Sequence, residues 1–425
     1  MKISKKNIQG IDVVYIHASK YKHMLIGICL NSKINQNNYN QLNMLPSLLE
    51  ENNRIYKTTD QLNVALDYLY GATFFTSVFQ RGHLFSNQFF LKLINEKYVE
   101  NEEGLIESAF SLMKNIIFDP KKYKHKLTKK AVDDKIKETY EAMNTIKQDK
   151  ATLAYVNFVK KISGDLPLIF PLESQLGLVD QDSMTQVYQQ LILQDQLKIY
   201  VIGDFHESVF DQVIGHVFNE YVPSQKRNDI QLSLPFNHDG SLIEWVDYDD
   251  VSISRVYLGY HIEVERNTKE ADTIELLSRI IGGDSQSKLF MTIREEMQLV
   301  YMIYSSYLYE INTLMIHFES EARDENVAID RIKEIILNVS NGDISEDEIQ
   351  RAKRSQIKSY RSVSDSLYGL LKLNINEDIM KNSSFNLDDR IKAVESVTKE
   401  DMIKLAQKLS LSHLYKFVKE EPANE

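Results

Sequence analysis

Apolar residues recur along this chain with two alternating periods. From Gly71 to Leu93, β-branched and aromatic residues form two runs separated at Arg81-Gly82. The same arrangement returns from Tyr301 to Ser320, with a break between Glu310 and Asn312. Runs of this composition bounded by turn residues predict two β-hairpins. Each is followed by a segment with apolar residues at three- and four-residue steps, Gly104 to Ile117 and Val327 to Leu337, the period of an amphipathic helix. Upstream, Ile11 to His17 and Met24 to Leu30 predict a strand pair. Asn40 to Glu51 predicts a helix that begins late or bends at Pro46. A further helix, capped by Thr58 or Thr59, presents Leu62, Ala65, Leu66 and Leu69 on one face and stops at Gly71.

The two halves of the chain close alike. A capped helix starting at Asp182 precedes a strand from Leu197 to Gly203, and one starting at Thr398 precedes a strand from Leu414 to Val418. The elements agree in order as well as in type, which predicts duplication of one α+β domain. Residues 222–240 are polar, hold Pro223 and Pro235, and lack helical periodicity, as a linker does. The expected organisation is a first domain over residues 1–222, a linker over 223–240 and a second domain over 241–425. Each domain is expected to be a mostly antiparallel sheet backed by helices.

Composition narrows the function classes. The chain has 425 residues, more than one ordinary core requires, and its 43% hydrophobic and 26% charged content is that of a folded chain. A net charge of −11 argues against a nucleic-acid partner. The basic run from Lys121 to Lys130 reads as the solvated start of a helix. Cys29 is the single cysteine and sits in an apolar, strand-like run, so it reads as a buried thiol. One cysteine excludes an internal disulfide and a thiolate metal cluster. No apolar segment follows the basic N-terminus and no stretch approaches a membrane span, so the expected location is the cytoplasm, away from membranes. His17, His83 and His317 fall in expected strands and read as structural. No histidine pair at helical spacing, Gly-x-Ser-x-Gly elbow or phosphate loop occurs.

The most informative stretch runs from Ile280 to Tyr301. It reads as the end of a helix, a tight turn at Gly282-Gly283, a second helix and the start of a strand. The two glycines are expected to supply left-handed backbone between the helices. The stretch holds Ser287-Lys288-Leu289-Phe290 and an arginine and a tyrosine seven residues apart, Arg294 and Tyr301. On these residues the chain resembles the pitrilysin/insulinase family of zinc peptidases, over nearly its whole length. The resemblance implies that the two domains form one half of a clam-shaped chamber. It gives Arg294 and Tyr301 a part in holding a bound peptide, and Gly282 and Gly283 a part in guiding it, as a glycine-rich loop does in the non-catalytic subunits of mitochondrial processing peptidase. The plainer alternatives are an arginine paired with Glu295 or Glu275, a tyrosine filling the sheet, and glycines that serve turn geometry alone. Gln298 departs from the family, which usually has glycine there.

The family's first domain normally carries His-x-x-Glu-His on a helix, where two histidines bind Zn²⁺ and the glutamate activates water. Threaded onto Asn40 to Glu51, the motif places Met44 and Leu48 at the histidine positions and Ser47 at the glutamate position. No histidine lies between His23 and His83. The distal region from Ala131 to Ile136 lacks the family's paired glutamates, although Asp133 and Asp134 lie there. The segment from Tyr56 to Thr73 is most similar to zinc-motif-lacking members that bacteria of the Bacillus and Staphylococcus type make beside an active relative. The resemblance therefore implies a catalytically inactive subunit with no cofactor of its own. It would pair with a zinc-bearing homologue, or with itself, and help bind and enclose peptides for proteolysis. A structural or assembly module, a stand-alone homodimeric peptide-binding protein and an enzyme with an unorthodox site are the alternatives.

Overall fold

The computed structural model describes residues 2–99, 104–164, 171–221, 230, 232, 240–266, 268–381 and 383–419. Apart from residues 230, 232 and 240, the expected linker lies outside the described residues. The first half of the chain forms strands β1 (Lys2–Ile8), β2 (Ile11–His17) and β3 (His23–Lys33), helices α1 (Tyr39–Glu51) and α2 (Thr59–Tyr68), and the hairpin β4 (Thr73–Arg81) and β5 (Leu84–Ile94). It continues with α3 (Leu105–Phe118), a short hairpin β6 (Lys122–Tyr123) and β7 (Lys126–Leu127), α4 (Lys129–Gln148), α5 (Lys150–Ser163), α6 (Glu173–Leu176), α7 (Gln181–Leu193), β8 (Gln196–Gly203) and α8 (Glu207–Val217). The second half forms β9 (Ile243–Asp249), β10 (Ser254–His261), α9 (Lys269–Gly282), a π-helix (Phe290–Glu296), β11 (Met302–Leu308) and β12 (Thr313–Ser320). It ends with α10 (Glu325–Ser340), α11 (Glu346–Ser364), α12 (Leu367–Lys381), α13 (Leu387–Ser396), α14 (Lys399–Ala406) and β13 (Ser410–Lys419).

Two mixed sheets result, and they share one topology. The first has the order β1-β2-β8-β3-β5-β4; the second, read from its far edge, is β9-β13-β10-β12-β11. In each, the last strand of the half lies parallel to an early one, β8 beside β2 and β13 beside β9, and the other pairings of the order that the two sheets share are antiparallel. The fold is α+β, with one domain plan used twice. Local signals place the helix ends as expected: the Thr58 side chain accepts from the Gln61 N–H, and Thr398 forms a reciprocal capping box with Asp401. No helix among the described residues is long and apolar enough to cross a membrane.

The compact units differ from contiguous halves of the chain in two segments. One unit gathers residues 1–145, 165–233 and 365–379; the other gathers 146–164, 234–364 and 380–425. Helix α12 therefore lies with the first sheet and α5 with the second. A glycine in each central strand makes room. A Cβ on Gly27 in β3 would lie 3.0 Å from the Phe90 ring and 3.5 Å from Leu371 of α12. A Cβ on Gly259 in β10 would lie 3.1 Å from Thr313 and 3.6 Å from Phe158 of α5. Glycine inside a strand marks a close approach of this kind.

Several local expectations change. The basic run starts a helix only at its end, where Lys129 opens α4; before that, Lys122 to Leu127 forms the β6–β7 hairpin, turning through Lys124 and His125 at φ of 51° and 67°. Buried Leu127, whose N–H donates to Thr185 Oγ1 at 3.1 Å, anchors it against α7. His83 sits in the β4–β5 turn rather than in a strand. Helix α1 begins at Tyr39 and so does not start late. Cys29 is buried as expected, and burial pushes its thiol up to about 12.

Charge fixes α12 in place. The Asp378 carboxylate, 2% exposed, takes a hydrogen bond from Lys5 Nζ at 2.6 Å and one from the Tyr200 hydroxyl at 2.7 Å, and pairs with Lys198. Burial alone would raise its pKa, but Lys198, Lys5 and Tyr200 outweigh burial and hold it below the usual carboxylate range. A carboxyl group with a depressed folded pKa stabilises above its unfolded pKa, and that contribution is lost as pH falls through the acid range. Asp378→Ala should lower stability at neutral pH by about 3 kcal/mol, because it leaves Lys198 buried without its partner. Urea unfolding would show this as a lower midpoint. Asp378→Leu combined with Lys198→Met should recover most of the loss, and an equally low midpoint in the double variant would contradict the assignment.

Candidate functional site

The zinc-motif positions lie in the first unit, on α1. Met44 and Leu48 are 3% and 1% exposed and belong to the apolar core, while Ser47 turns its hydroxyl back onto the Met44 carbonyl at 3.2 Å. Pro46 inside the helix has no N–H to offer the Leu42 carbonyl. The buried Asn87 side chain of β5 replaces that donor, its Nδ2 lying 2.7 Å from Leu42 O. On α4, Asp133 and Asp134 are exposed and pair with Lys129 and Lys130 one turn away. The α4 residue that reaches α1 is Lys135, whose ammonium lies 2.8 Å from Glu51 and 2.6 Å from Glu138. A cation on a nearly buried stem stands at this junction. These residues do not fit zinc: two apolar chains and a hydroxyl supply no ligand set. No group of three or more candidate ligands occurs among the described residues.

The signature stretch lies in the second unit. Gly282 ends α9, and the capping Gly283 has φ of −83°, so neither supplies the left-handed backbone expected of the pair. What Gly282 supplies is space. A Cβ there would lie 2.6 Å from the Ser305 nitrogen in β11, and the Ser305 hydroxyl already donates to the Ser278 carbonyl at 2.7 Å. The second helix of the stretch is a π-helix; Met297 N–H reaches back five residues to Thr292 O at 3.0 Å. Single wide turns of this kind often occur at functional sites. The left-handed residue falls at its exit, on Gln298 at φ of 56°. The family's usual glycine would sit there without strain.

Arg294 is exposed on the π-helix, with its guanidinium 4.7 Å from the Phe290 ring centre. Among the described residues it makes no ion pair, so neither Glu295 nor Glu275 holds it. Glu275 is committed elsewhere: it accepts hydrogen bonds from Tyr309, Gln356 and Tyr360, and burial raises its pKa. Tyr301 is 53% exposed and does not fill the sheet. Its hydroxyl donates to Glu321 at 3.1 Å, and that bond raises the phenol's pKa. Met291, Met297 and Met302 are exposed around these two residues in sequence, a soft apolar surface beside a free donor fork. Arg294 and Tyr301 share no partner. Asn87 and Lys135 were missed in the sequence; the available hint for Asn87 was a carboxamide in a buried strand of the hairpin that follows a proline-bearing helix.

The family model described as "Peptidase M16 inactive domain" matches residues 179–356. "Probable inactive metalloprotease YmfF" of Bacillus subtilis (strain 168) is 23% identical over 412 residues, which cover 96% of this chain and 95% of that protein. "Uncharacterized zinc protease YmxG" of the same organism is 22% identical over 255 residues, 59% of this chain and 61% of that one. A crystal structure of a conserved protein from Enterococcus faecalis V583 superposes with a TM-score of 0.91 at 21% identity, with full coverage of both chains.

Two substitutions test the local readings. Asn87→Leu should cost about 1–2 kcal/mol by leaving the Leu42 carbonyl unmet. In a Pro46→Ala background, which restores the helical donor, most of that cost should vanish. A double-mutant cycle in chemical denaturation measures the coupling, and strictly additive effects would rule the bond out as the cause. Gln298→Gly should stabilise by up to about 1 kcal/mol, because it removes the left-handed penalty. Gln298→Val should do the opposite in the same thermal melts.

Proposed function

The chain is similar to pitrilysin-type peptidases and lacks their zinc motif, and from this premise we propose that it belongs to that family as the non-catalytic subunit of a two-subunit peptidase. Its partner would be a zinc-bearing homologue, which supplies the metal, the water and the general base. This chain would help enclose the peptide and hold it through Arg294 and Tyr301. The observation that carries the reading is the contrast between the two sites. On α1 the metal positions are apolar and buried, so no hydrolytic chemistry can start there. On the π-helix an arginine stands exposed and without a carboxylate, with five N–H donors suited to a peptide carbonyl or a C-terminal carboxylate. Tyr301 adds a phenolic donor beside an apolar ring. The similarity to a protein named as an inactive metalloprotease, and the weaker one to a protein named as a zinc protease of the same organism, support a pair of this kind.

The test is turnover of an internally quenched peptide by this chain, by a zinc-bearing homologue from the same genome, and by the two together. The mixture should exceed the homologue alone, and this chain alone should be inert. Arg294→Ala in the mixture should lower kcat/KM about tenfold, the loss of one charge-assisted hydrogen bond of about 1.4 kcal/mol. Its melting temperature should fall by about two degrees at most, since the side chain makes only an exposed contact with Phe290. Unchanged turnover by Arg294→Ala would remove that residue's role. A mixture no faster than the homologue alone would remove the subunit reading and leave the assembly module.

A further inference from the structure

A second site lies in the first unit. A pocket of about 380 Å³ opens between the loop that leads into α1 and the outer side of α7. Its lining consists of eight asparagine and glutamine side chains, one serine and two aliphatic residues, Leu178 and Val187, with no charged group and no aromatic ring. In a chain that is 26% charged, a pocket walled by carboxamides is an unusual local composition. Part of the wall is built by its own hydrogen bonds: Asn38 accepts from the Asn35 N–H at 2.8 Å and donates to the Lys33 carbonyl at 3.0 Å. Gln190, on α7, is steadied by the buried carboxylate of Asp195.

Gln41 is different. It lines the pocket at 5% exposure, yet its carboxamide makes no hydrogen bond among the described residues. Its amide meets only solvent in the pocket, so its donors and acceptor are available to a ligand that replaces that water. Carboxamides give and accept hydrogen bonds without charge. The matching ligand is uncharged and alternates N–H with C=O. A peptide main chain does this, and exposed Leu178 beside half-buried Val187 offers a shelf for one of its side chains. A sugar would lack the aromatic platform on which its ring usually stacks.

We propose that this pocket binds the main chain of an extended, uncharged peptide segment, with Gln41 as its central contact. The proposal deepens the peptide-binding reading and rests on it for the choice of peptide as ligand class. Titration calorimetry on the full chain tests it with a panel of unrelated, uncharged, end-blocked peptides and with maltopentaose as the polyol control. The peptides should bind saturably, with the same affinity at low and high salt, and maltopentaose should not. Gln41→Met should weaken binding about tenfold, as expected for the loss of one or two hydrogen bonds. It should leave the melting temperature equal or higher, because the amide it removes has no partner in the fold. If Gln41→Met lowers the melting temperature instead, Gln186→Leu on the exposed rim supplies the binding test, again with weaker binding expected. Absence of binding across the panel, unaltered binding in both variants, or binding of maltopentaose in place of peptide would overturn the proposal. Peptide binding lost in Gln41→Met, alongside a reconstituted pair that shows no gain in turnover, would keep this site and remove only the subunit reading. Turnover that depends on Arg294, with no binding at Gln41, would do the reverse.

Discussion

Close approach of a helix to a glycine in the central strand is the contact on which both units depend. A six- or five-stranded sheet needs cover on two faces, and the helices that lie between its strands in sequence cover one. The other face receives a single helix from the opposite half of the chain, α12 in the first unit and α5 in the second. Each helix seats an apolar side chain, Leu371 or Phe158, over the gap left by Gly27 or Gly259. Around Phe158 the second sheet offers one aromatic or imidazole ring from every strand in a single row: Trp245, Tyr415, Tyr257, His317 and Tyr304. His317 belongs there because burial lowers its pKa to about 4, so it stacks on Tyr257 as a neutral ring. Around Leu371 of α12 the first sheet offers Phe75 and Phe90, which meet Tyr368 of the same helix, at one end, and Lys5, Lys198 and Tyr200, which hold Asp378 of that helix, at the other. Neither contiguous half of the chain contains everything its own sheet needs.

That arrangement also marks the limit of what could be read from the sequence. The two hairpins, the closing strands and the duplicated order were legible because their residues alternate or repeat with the period of the element they form. Strand β9 escaped notice. It is an edge strand in which Glu244, Asp247 and Asp249 interrupt the apolar residues, and its pairing with β13 comes from a partner distant in sequence. The exchange of α5 and α12 was illegible in principle, since an amphipathic helix records that it has a partner face and not which sheet supplies it. The basic run from Lys121 to Lys130 is solvated and leads into α4 as expected, but the hairpin at Lys122 to Leu127 was missed because one buried residue, Leu127, decided the local structure.

The candidate site divides the same way. The absence of zinc ligands on α1 was plain from residue types. How the helix is held in place was not, because Asn87 and Lys135 act across the fold at long range. Asn87 returns to Leu42 the hydrogen bond that Pro46 removes, and Lys135 ties α4 to the end of α1 through Glu51. Gly282 was chosen for the right position and the wrong property. A glycine can be required by its backbone angle or by the space around it, and the sequence does not distinguish these.

A separation of stability from binding follows for Arg294 and Tyr301. An exposed cation–π contact with Phe290 contributes on the order of 0.5–1 kcal/mol, and a hydrogen bond between exposed Tyr301 and Glu321 contributes little. The fold around them rests on Gly282 against Ser305, on the α9–β11 contact and on the buried Glu275 cluster, none of which includes either side chain. Packing therefore gives no reason for an arginine at 294 or a tyrosine at 301, since either could be shortened without opening a cavity. Residues that the fold does not need, one on the π-helix and one just before β11, are where a change in activity can be read as a change in function.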